Sequence, residues 1–171
     1  LEQAQREMLD WENTGTSILE TSHRSKEYDA LHNEAISLLK ELLSIPDNYQ
    51  VLFLQGGASL QFAMVPMNLL AKDTTADYVH TGTWAKKAIA EAKLFGNVNL
   101  AFDGETVQRK RVPQPSELKL TPGARYVHLT SNNTIEGTQF FSFPDTLGVP
   151  IVSDMSSDFL WRPFDVKPFG L

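Results

Sequence analysis

The chain has 171 residues, of which 42% are hydrophobic, 21% charged and 10% aromatic, a composition typical of a globular protein with one sizeable core. Its formal net charge is -6 and its pI is about 5.2, so overall charge gives it no attraction to nucleic acid or to an anionic membrane. The absence of cysteine excludes disulfides, thiolate metal sites and a cysteine nucleophile, and it favours a cytoplasmic location.

The two ends of the chain give no sign of export or membrane insertion. No run of about 18 apolar residues occurs, and the first residues, LEQAQREMLDW, lack the basic start and apolar middle of a signal peptide. The chain begins at Leu1 rather than at a methionine, and its last residues, KPFGL, resemble the approach to another buried segment. We therefore interpret it as a fragment of a longer protein.

Residues 1–50 are predicted to form an N-terminal helical segment. Within it, apolar residues at three- and four-residue spacing predict an amphipathic helix over Tyr28–Leu43, which Pro46 ends. The apolar positions are Leu31, Ala35, Leu38, Leu39 and Leu42.

Residues 51–171 are predicted to form an α/β domain with a mainly parallel sheet and crossover helices, because short apolar runs alternate with amphipathic stretches. The helices are predicted at Ser59–Ala71, with a kink or lost hydrogen bond at Pro66, and at Thr83–Phe95. Thr83 is the predicted cap of the second helix and Gly96 its left-handed closing residue. The predicted strands are Val51–Leu54, Asp77–Thr81, Val98–Phe102, Arg125–Thr130 and Pro150–Asp154.

A long connection, Glu105–Gly123, separates two of these strands. It carries three prolines and the basic cluster Arg109–Lys110–Arg111. We interpret it as a surface loop whose charges face solvent.

The turn Gly56–Gly57 joins the first predicted strand to a helix that opens with Ala58 and Ser59. Backbone amides that converge at a helix N-terminus, together with the helix dipole, favour binding of a phosphate. The alternative is a tight turn that requires glycine only for its backbone conformation. Neither the G-x-G-x-x-G fingerprint nor the G-x-x-x-x-G-K-[ST] loop is present, which disfavours a nucleotide-dependent enzyme.

Polar residues follow two other predicted strands, at the sheet edge where open α/β folds bind ligands. Asp154 could orient a cationic ligand nitrogen or a metal, or it could serve as a helix cap or loop acceptor. The segment Thr130–Thr134 supplies hydroxyl and amide groups, which alone would indicate only a turn. Trp84 could stack on a planar ligand or simply pack.

His23 and Arg24, within Ser22–Ser25, could clamp a carboxylate or phosphate, although a solvated helix cap explains the same residues. The remaining histidines show no metal-ligand spacing with a carboxylate or with each other, so we expect no metal site. They are His32, His80 and His128.

Several segments, taken together and in order, resemble the phosphoserine aminotransferase family. These are Ser22–Ser25, Val51–Phe62, Ala76–Val79, Gly82–Trp84, Asn133–Gly137 and Asp154–Ser157. The resemblance covers essentially the whole chain, in the version of the family with Gly-Gly-Ala-Ser at the phosphate turn. It implies a fold-type I, pyridoxal-phosphate-dependent homodimer that converts L-glutamate and 3-phosphohydroxypyruvate to phosphoserine and 2-oxoglutarate. Such enzymes serve serine synthesis, and in some bacteria also pyridoxine synthesis.

The resemblance also assigns cofactor-binding roles to five residues. Ala58 and Ser59 would hold the cofactor phosphate through backbone amides, Trp84 would stack on the pyridine ring and Thr134 would donate or accept a hydrogen bond. Asp154 would pair with the pyridinium nitrogen, which keeps the ring protonated and able to accept electrons.

Two features of the family concern the substrate and the reaction. His23 and Arg24 would face the substrate, with Arg24 the stronger candidate because its planar guanidinium matches a carboxylate. The Schiff-base lysine of the family lies on a later Gln-Lys pair that is absent here, and Lys167 does not match that context. The resemblance therefore implies that these residues alone are inactive and that a second chain or a dimer contact covers their open surfaces. The alternative is a non-catalytic α/β module that binds a phosphorylated small molecule.

Overall fold

The computed structural model describes residues 1–107 and 110–171, so Arg109 of the predicted basic cluster lies outside the described residues. The chain divides into two compact units, Leu1–Val51 and Leu52–Leu171. In the two described ranges, no helix is long and apolar enough to cross a bilayer.

The first unit is helical. It contains α1 (Glu2–Glu7), a 3-10 turn (Ile18–Glu20) and α2 (Lys26–Leu42). The predicted amphipathic helix is confirmed by α2, which begins after Ser25, whose Oγ accepts a hydrogen bond from the Tyr28 amide at 3.1 Å. The sequence pattern missed α1 because this helix has only six residues and none of them is buried.

The strands of the second unit are β1 (Thr75–His80), β2 (Asn97–Asp103), β3 (Val127–Thr130), β4 (Asn132–Asn133), β5 (Thr138–Gln139) and β6 (Ile151–Asp154). Four of them form a parallel sheet with the order β2-β1-β3-β6. A two-residue antiparallel pair, β4 with β5, forms a separate ribbon. Two helices, α3 (Gly57–Leu69) and α4 (Thr83–Ala92), pack against each other. The α/β fold and four of the five predicted strands are confirmed.

Both faces of the sheet are covered. Because successive side chains of a strand point to opposite faces, Tyr78 joins one core cluster and Val79 the other. The first cluster also contains Phe62 and Ile89, from α3 and α4, whereas the second contains Phe169 from the end of the chain. This two-sided burial explains why apolar residues occupy consecutive strand positions, as at Tyr78–Val79 and Ile151–Val152.

The prediction of a strand at Val51–Leu54 is wrong. The segment belongs to no strand of the described residues, and the side chains of Leu52, Phe53 and Leu54 are all more than half exposed. An apolar run satisfies the pattern of a buried strand, but strand formation also requires a neighbour that pairs with its backbone amides and carbonyls. In the described part of the chain, no strand pairs with this segment.

Two expectations about helix interiors and ends have different outcomes. The predicted helix around Pro66 forms, and α3 continues through this residue. The predicted left-handed conformation of Gly96 is wrong, because this glycine is not among those with positive φ. Its small size matters instead, since an added Cβ would lie 2.7 Å from the carbonyl oxygen of Ala71.

The connection Glu105–Gly123 is more structured than expected. Arg111 donates two hydrogen bonds to the Glu117 carboxylate, at 2.7 and 2.6 Å. These bonds, with one from the Gln114 amide, lower the pKa of Glu117 to about 2. The interpretation that the charges of this loop only face solvent is therefore wrong for Arg111.

Candidate functional site

A cleft of about 320 Å³ lies within the second unit. It gathers residues from the start of α3, the start of α4 and the segments that follow β3 and β6. All five residues predicted to bind a cofactor line it, together with six others. The lining residues are Gly56, Gly57, Ala58, Ser59, Phe62, Trp84, Asn132, Thr134, Asp154, Ser156 and Ser157.

The start of α3 presents unused backbone amides to this cleft. Gly56 is the N-cap, and its φ of 99° is a conformation that favours glycine. No larger residue fits there, because an added Cβ would lie 2.3 Å from Leu60 Cδ2. No side chain caps the helix. The Leu60 amide bonds back to the Gly56 carbonyl at 3.4 Å, so the amides of residues 57–59 have no acceptor within the helix. They form the positive end of the helix dipole.

Asp154 ends β6 and pairs in register with Thr130 of β3. Its Oδ1 accepts hydrogen bonds from the amide of Ser156 at 3.1 Å and from the hydroxyl of Ser156 at 2.5 Å. These bonds fix the carboxylate, as expected for a loop acceptor. Among the described residues Oδ2 has no hydrogen-bond partner, so one oxygen remains available to a ligand in the cleft.

Trp84 and Thr134 are joined across the cleft wall. The indole Nε1 donates to Thr134 Oγ1 at 3.2 Å, and the ammonium of Lys87 lies 4.3 Å from the centroid of the indole ring. Because the Thr134 hydroxyl accepts from the indole, its own proton is free to be donated elsewhere.

The start of α4 is capped differently from the prediction. Gly82 occupies the N-cap position and Thr83 is the first helical residue, so the prediction of Thr83 as the cap is wrong. Glu136 Oε1 accepts from the amide of Thr83 at 2.9 Å and from its hydroxyl at 2.6 Å. Asn133 Oδ1 accepts from the Trp84 amide at 3.2 Å.

Sequence analysis singled out the segments that contain Asn132 and Ser157 but gave these two cleft residues no role of their own. Asn132 Nδ2 donates to Ser157 Oγ at 3.0 Å, and this hydroxyl donates to the Asn132 carbonyl at 3.0 Å. Both residues lie a few positions after a strand, in the polar segments that follow β3 and β6. Their position at the carboxyl edge of a parallel sheet was the available signal.

His128 of β3 supports the floor of the cleft from within the core. Its ring stacks on Tyr78 with centroids 4.7 Å apart and meets Phe62, a lining residue, edge to face at 6.4 Å. Burial lowers the pKa of His128 to about 4, against a small opposing effect of Asp154. The imidazole is therefore neutral at neutral pH, and its buried Nδ1 has no partner among the described residues.

The two residues predicted to face substrate lie in the first unit. His23 and Arg24 are exposed, and the Arg24 amide donates to Ser22 Oγ at 3.2 Å. The helix-cap interpretation of this segment is correct for Ser25, and the substrate-binding role of His23 and Arg24 stays a prediction. Across residues 1–107 and 110–171, the structure contains no cluster of three or more potential metal ligands.

The chain matches the family model "Aminotransferase class-V" over residues 1–171. It is 59% identical over its whole length to a phosphoserine aminotransferase of Desulfosudis oleivorans and 54% identical to one of Niallia circulans, covering 47% of each of those proteins. The chain thus spans about half the length of the curated relatives it matches.

Solved structures give the same result. The phosphoserine aminotransferase of Bacillus circulans subsp. alkalophilus superimposes with a TM-score of 0.93 at 54% identity, over 99% of this chain and 47% of that one. The PLP-bound phosphoserine aminotransferase of Trichomonas vaginalis matches with a TM-score of 0.88 at 39% identity, over 99% of this chain and 48% of that one. The family model, the relatives and the shared fold agree, and the chain belongs to the class-V aminotransferase family.

Proposed function

We propose that the protein containing this chain is a pyridoxal-phosphate-dependent phosphoserine aminotransferase. It would transfer the amino group of L-glutamate to 3-phosphohydroxypyruvate, giving O-phospho-L-serine and 2-oxoglutarate for serine biosynthesis and, in some bacteria, a related step of pyridoxine biosynthesis. The observation that carries the proposal is the composition of one cleft, which combines an uncapped helix N-terminus, an indole and a fixed carboxylate. The names of the similar proteins support the same reaction.

The cleft fits this cofactor in size and in chemistry. Its volume of about 320 Å³ lies at the lower end of the range of small-molecule sites. A Cβ added at Gly57 would meet nothing within 4 Å, so there is open space beside the amides of α3. Helix N-termini with free amides are established phosphate sites, and no side-chain cation of the lining residues is needed there.

Asp154 supplies the complementary charge at the other side of the cleft. A bound pyridoxal phosphate provides a ring that accepts the electron pair released from the substrate carbon. The Asp154 carboxylate would hold a proton on the ring nitrogen through Oδ2, while Ser156 fixes the carboxylate through Oδ1. The strand end thereby sets both the position and the charge of this contact.

Trp84 and Thr134 would complete the site. The indole would cover one face of the planar cofactor ring and exclude water from it. Its hydrogen bond to Thr134 fixes its orientation. Thr134 can then donate its remaining proton to an acceptor on the cofactor. His23 and Arg24 would bind the substrate carboxylate or phosphate.

We further propose that the protein is a cytoplasmic homodimer, or that a second chain covers its open surfaces. Several large apolar side chains of the second unit are at least half exposed, among them Phe141, Leu147 and Trp161. Exposed apolar area of this kind is typical of association surfaces. The absence of cysteine supports a reducing compartment.

The test uses the protein as expressed from its natural gene, assayed for 2-oxoglutarate formation from glutamate and 3-phosphohydroxypyruvate. We expect turnover, a visible absorbance band abolished by borohydride, and an added pyridoxyl mass on reduction. Asp154→Asn, which keeps the shape but not the charge, should lower kcat by at least about tenfold, the cost of losing one charged hydrogen bond.

One result would contradict the proposed reaction, and another would contradict the expected inactivity of residues 1–171 alone. A protein that binds phosphorylated small molecules but shows neither turnover nor a borohydride-sensitive band would be the non-catalytic α/β module. Measurable transamination by residues 1–171 alone would contradict the expectation that these residues, without the family's Schiff-base lysine, are inactive.

A further inference from the structure

We propose that Asn133 and Glu136 are positioning residues for the cofactor site. They accept hydrogen bonds from the first groups of α4 and thereby hold the Trp84 indole at the wall of the cleft. The inference rests on the proposed function, since it concerns how this chain prepares its own residues for that cofactor.

Glu136 is held in a closed space at the start of α4. Its Oε1 accepts two hydrogen bonds from Thr83, at 2.9 and 2.6 Å, and its Oε2 is buried without a partner among the described residues. A Cβ at Gly82 would lie 2.3 Å from Oε2, so only glycine leaves room for this carboxylate. A buried oxygen without a partner costs free energy, which the two bonds to Thr83 must offset.

Asn133 bonds the same helix start to the segment that follows β1. Its side chain is fully buried, and Oδ1 accepts from the amides of Trp84 and Ala85 at 3.2 and 3.4 Å. Its Nδ2 donates to Thr81 Oγ1 at 2.9 Å, in the segment between β1 and α4. One side-chain amide therefore contacts the chain on both sides of Gly82, at the Thr81 hydroxyl and at the backbone of α4.

These contacts meet in a single short turn. The Gly137 amide closes it on the Asn133 carbonyl at 2.9 Å, and Thr134, within the turn, accepts from the Trp84 indole. Trp84 is thus held at two points, its backbone amide by Asn133 and its indole by Thr134. A side chain fixed at two points is pre-organised for stacking, because its orientation need not be fixed when the ligand arrives.

The carboxylate of Glu136 also makes the two helix starts of the cleft unequal. It places a negative charge at the positive end of α4, whereas α3 has no side-chain cap. The amides of Thr83 and Trp84 already have acceptors, so of the two helix starts only α3 offers free amides to a phosphate.

The experiment titrates the cofactor-free full-length protein with pyridoxal phosphate. Glu136→Ala should weaken apparent binding about tenfold, the equivalent of one lost helix cap, whereas Glu136→Gln, which keeps the acceptor for Thr83, should stay within about threefold of the original protein. In a Trp84→Leu background, Glu136→Ala should change binding by less than about twofold. The effect of Glu136 on binding depends on the Trp84 indole, which this background lacks.

The matched control is Glu117→Ala. Glu117 likewise caps a short helical turn and accepts the amide of Gln114 at 2.7 Å. The turn that it caps, Pro115–Glu117, contributes no residue to the cleft, whereas α4 contributes Trp84. It should lower the melting temperature without changing cofactor affinity.

Three results would overturn the inference. Unchanged affinity of folded Glu136→Ala, or the same loss with and without Trp84, would leave Glu136 with a structural role only. A loss for Glu136→Gln as large as for Glu136→Ala would do the same, and Glu136→Gln decides the matter if the alanine variant does not fold. Failure of the unsubstituted protein to bind pyridoxal phosphate would instead overturn the proposed function, and this inference with it.

Discussion

The starts of α3 and α4 border the same cleft but use their backbone amides in opposite ways. At α3, Gly56 provides no side-chain hydrogen bond and the first amides remain open. At α4, Glu136 and Asn133 accept from the first residues of the helix. The start of α3 therefore has free amides for an anion, whereas the first amides of α4 are already bonded to side chains of the same protein.

The difference shows that two helix N-termini at one cleft need not offer the same amides to a ligand, because α4 is bonded to its own chain and α3 is not. Every helix has unsatisfied amides in its first turn, and the sequence around Thr83 gives no sign that they are used. The acceptor lies 53 residues further along the chain. In the proposed site, α3 binds the ligand and α4 positions Trp84. The predictions below test this assignment.

The largest effect should come from the core that both helices share. The unfolded chain protonates histidine below about pH 6.5, but folded His128 binds a proton only below about pH 4. Between these values the unfolded state holds more protons, so stability falls as the pH is lowered, by up to about 3 kcal/mol. Chemical denaturation from pH 7 to pH 4 measures this loss.

His128→Phe isolates this contribution, because the acidic residues with lowered pKa, such as Asp103 and Glu117, remain in the variant. Its stability should fall less steeply over the same pH range. Equal slopes of unfolding free energy against pH for the two proteins would show that protonation of His128 does not destabilise the folded state. In that case the loss of stability at low pH would come from protonation of the carboxylates instead.

A charge at the open helix start should separate ligand binding from stability. Ser59→Asp places a carboxylate in the first turn of α3, where it should leave the melting temperature unchanged or raise it. It should weaken pyridoxal phosphate binding about 100-fold through repulsion of the phosphate. The neutral isostere Ser59→Asn is the control and should bind nearly normally. If both variants bind alike in a cofactor titration, the phosphate does not lie at α3.

The smallest effect concerns the closed helix start. Gly82→Ala keeps an extended backbone available but forces a methyl group against Glu136 and Asn133, so we expect a loss of about 1–3 kcal/mol of stability. In a Glu136→Ala background the same substitution should cost less, since one of the two clashes is gone. Equal costs in both backgrounds, measured by urea denaturation, would mean that Glu136 does not occupy the space beside Gly82.

Most of the fold followed from patterns along the chain. Amphipathic spacing located α2, and apolar runs located β1, β2, β3 and β6, because burial imposes those periodicities directly. The pattern failed at Val51–Leu54, where the apolar run belongs to no strand of the described residues. It also failed at Gly96, which is required for space rather than for a positive φ. Pairing and close approach depend on residues distant in sequence.

The cleft could be anticipated in part. Asp154 and Thr134 follow strands whose carboxyl ends meet at one edge, and Gly56–Gly57 opens a helix, so each was a candidate from position alone. Their assignment to one cofactor came from the resemblance rather than from spacing. Asn133 and Glu136 were part of a recognised motif, but their bonds to α4 were not foreseeable.

The amino-acid sequence by itself determined the α/β class, the strand and helix positions and the family, because these depend on local periodicity and on short motifs. Only the tertiary structure decided which helix start stays open and which is capped, and that Trp84 is held at two points. Those outcomes depend on contacts between α4 and residues 133–136. Such contacts are set by how strands and loops come together in space, and no local pattern encodes them.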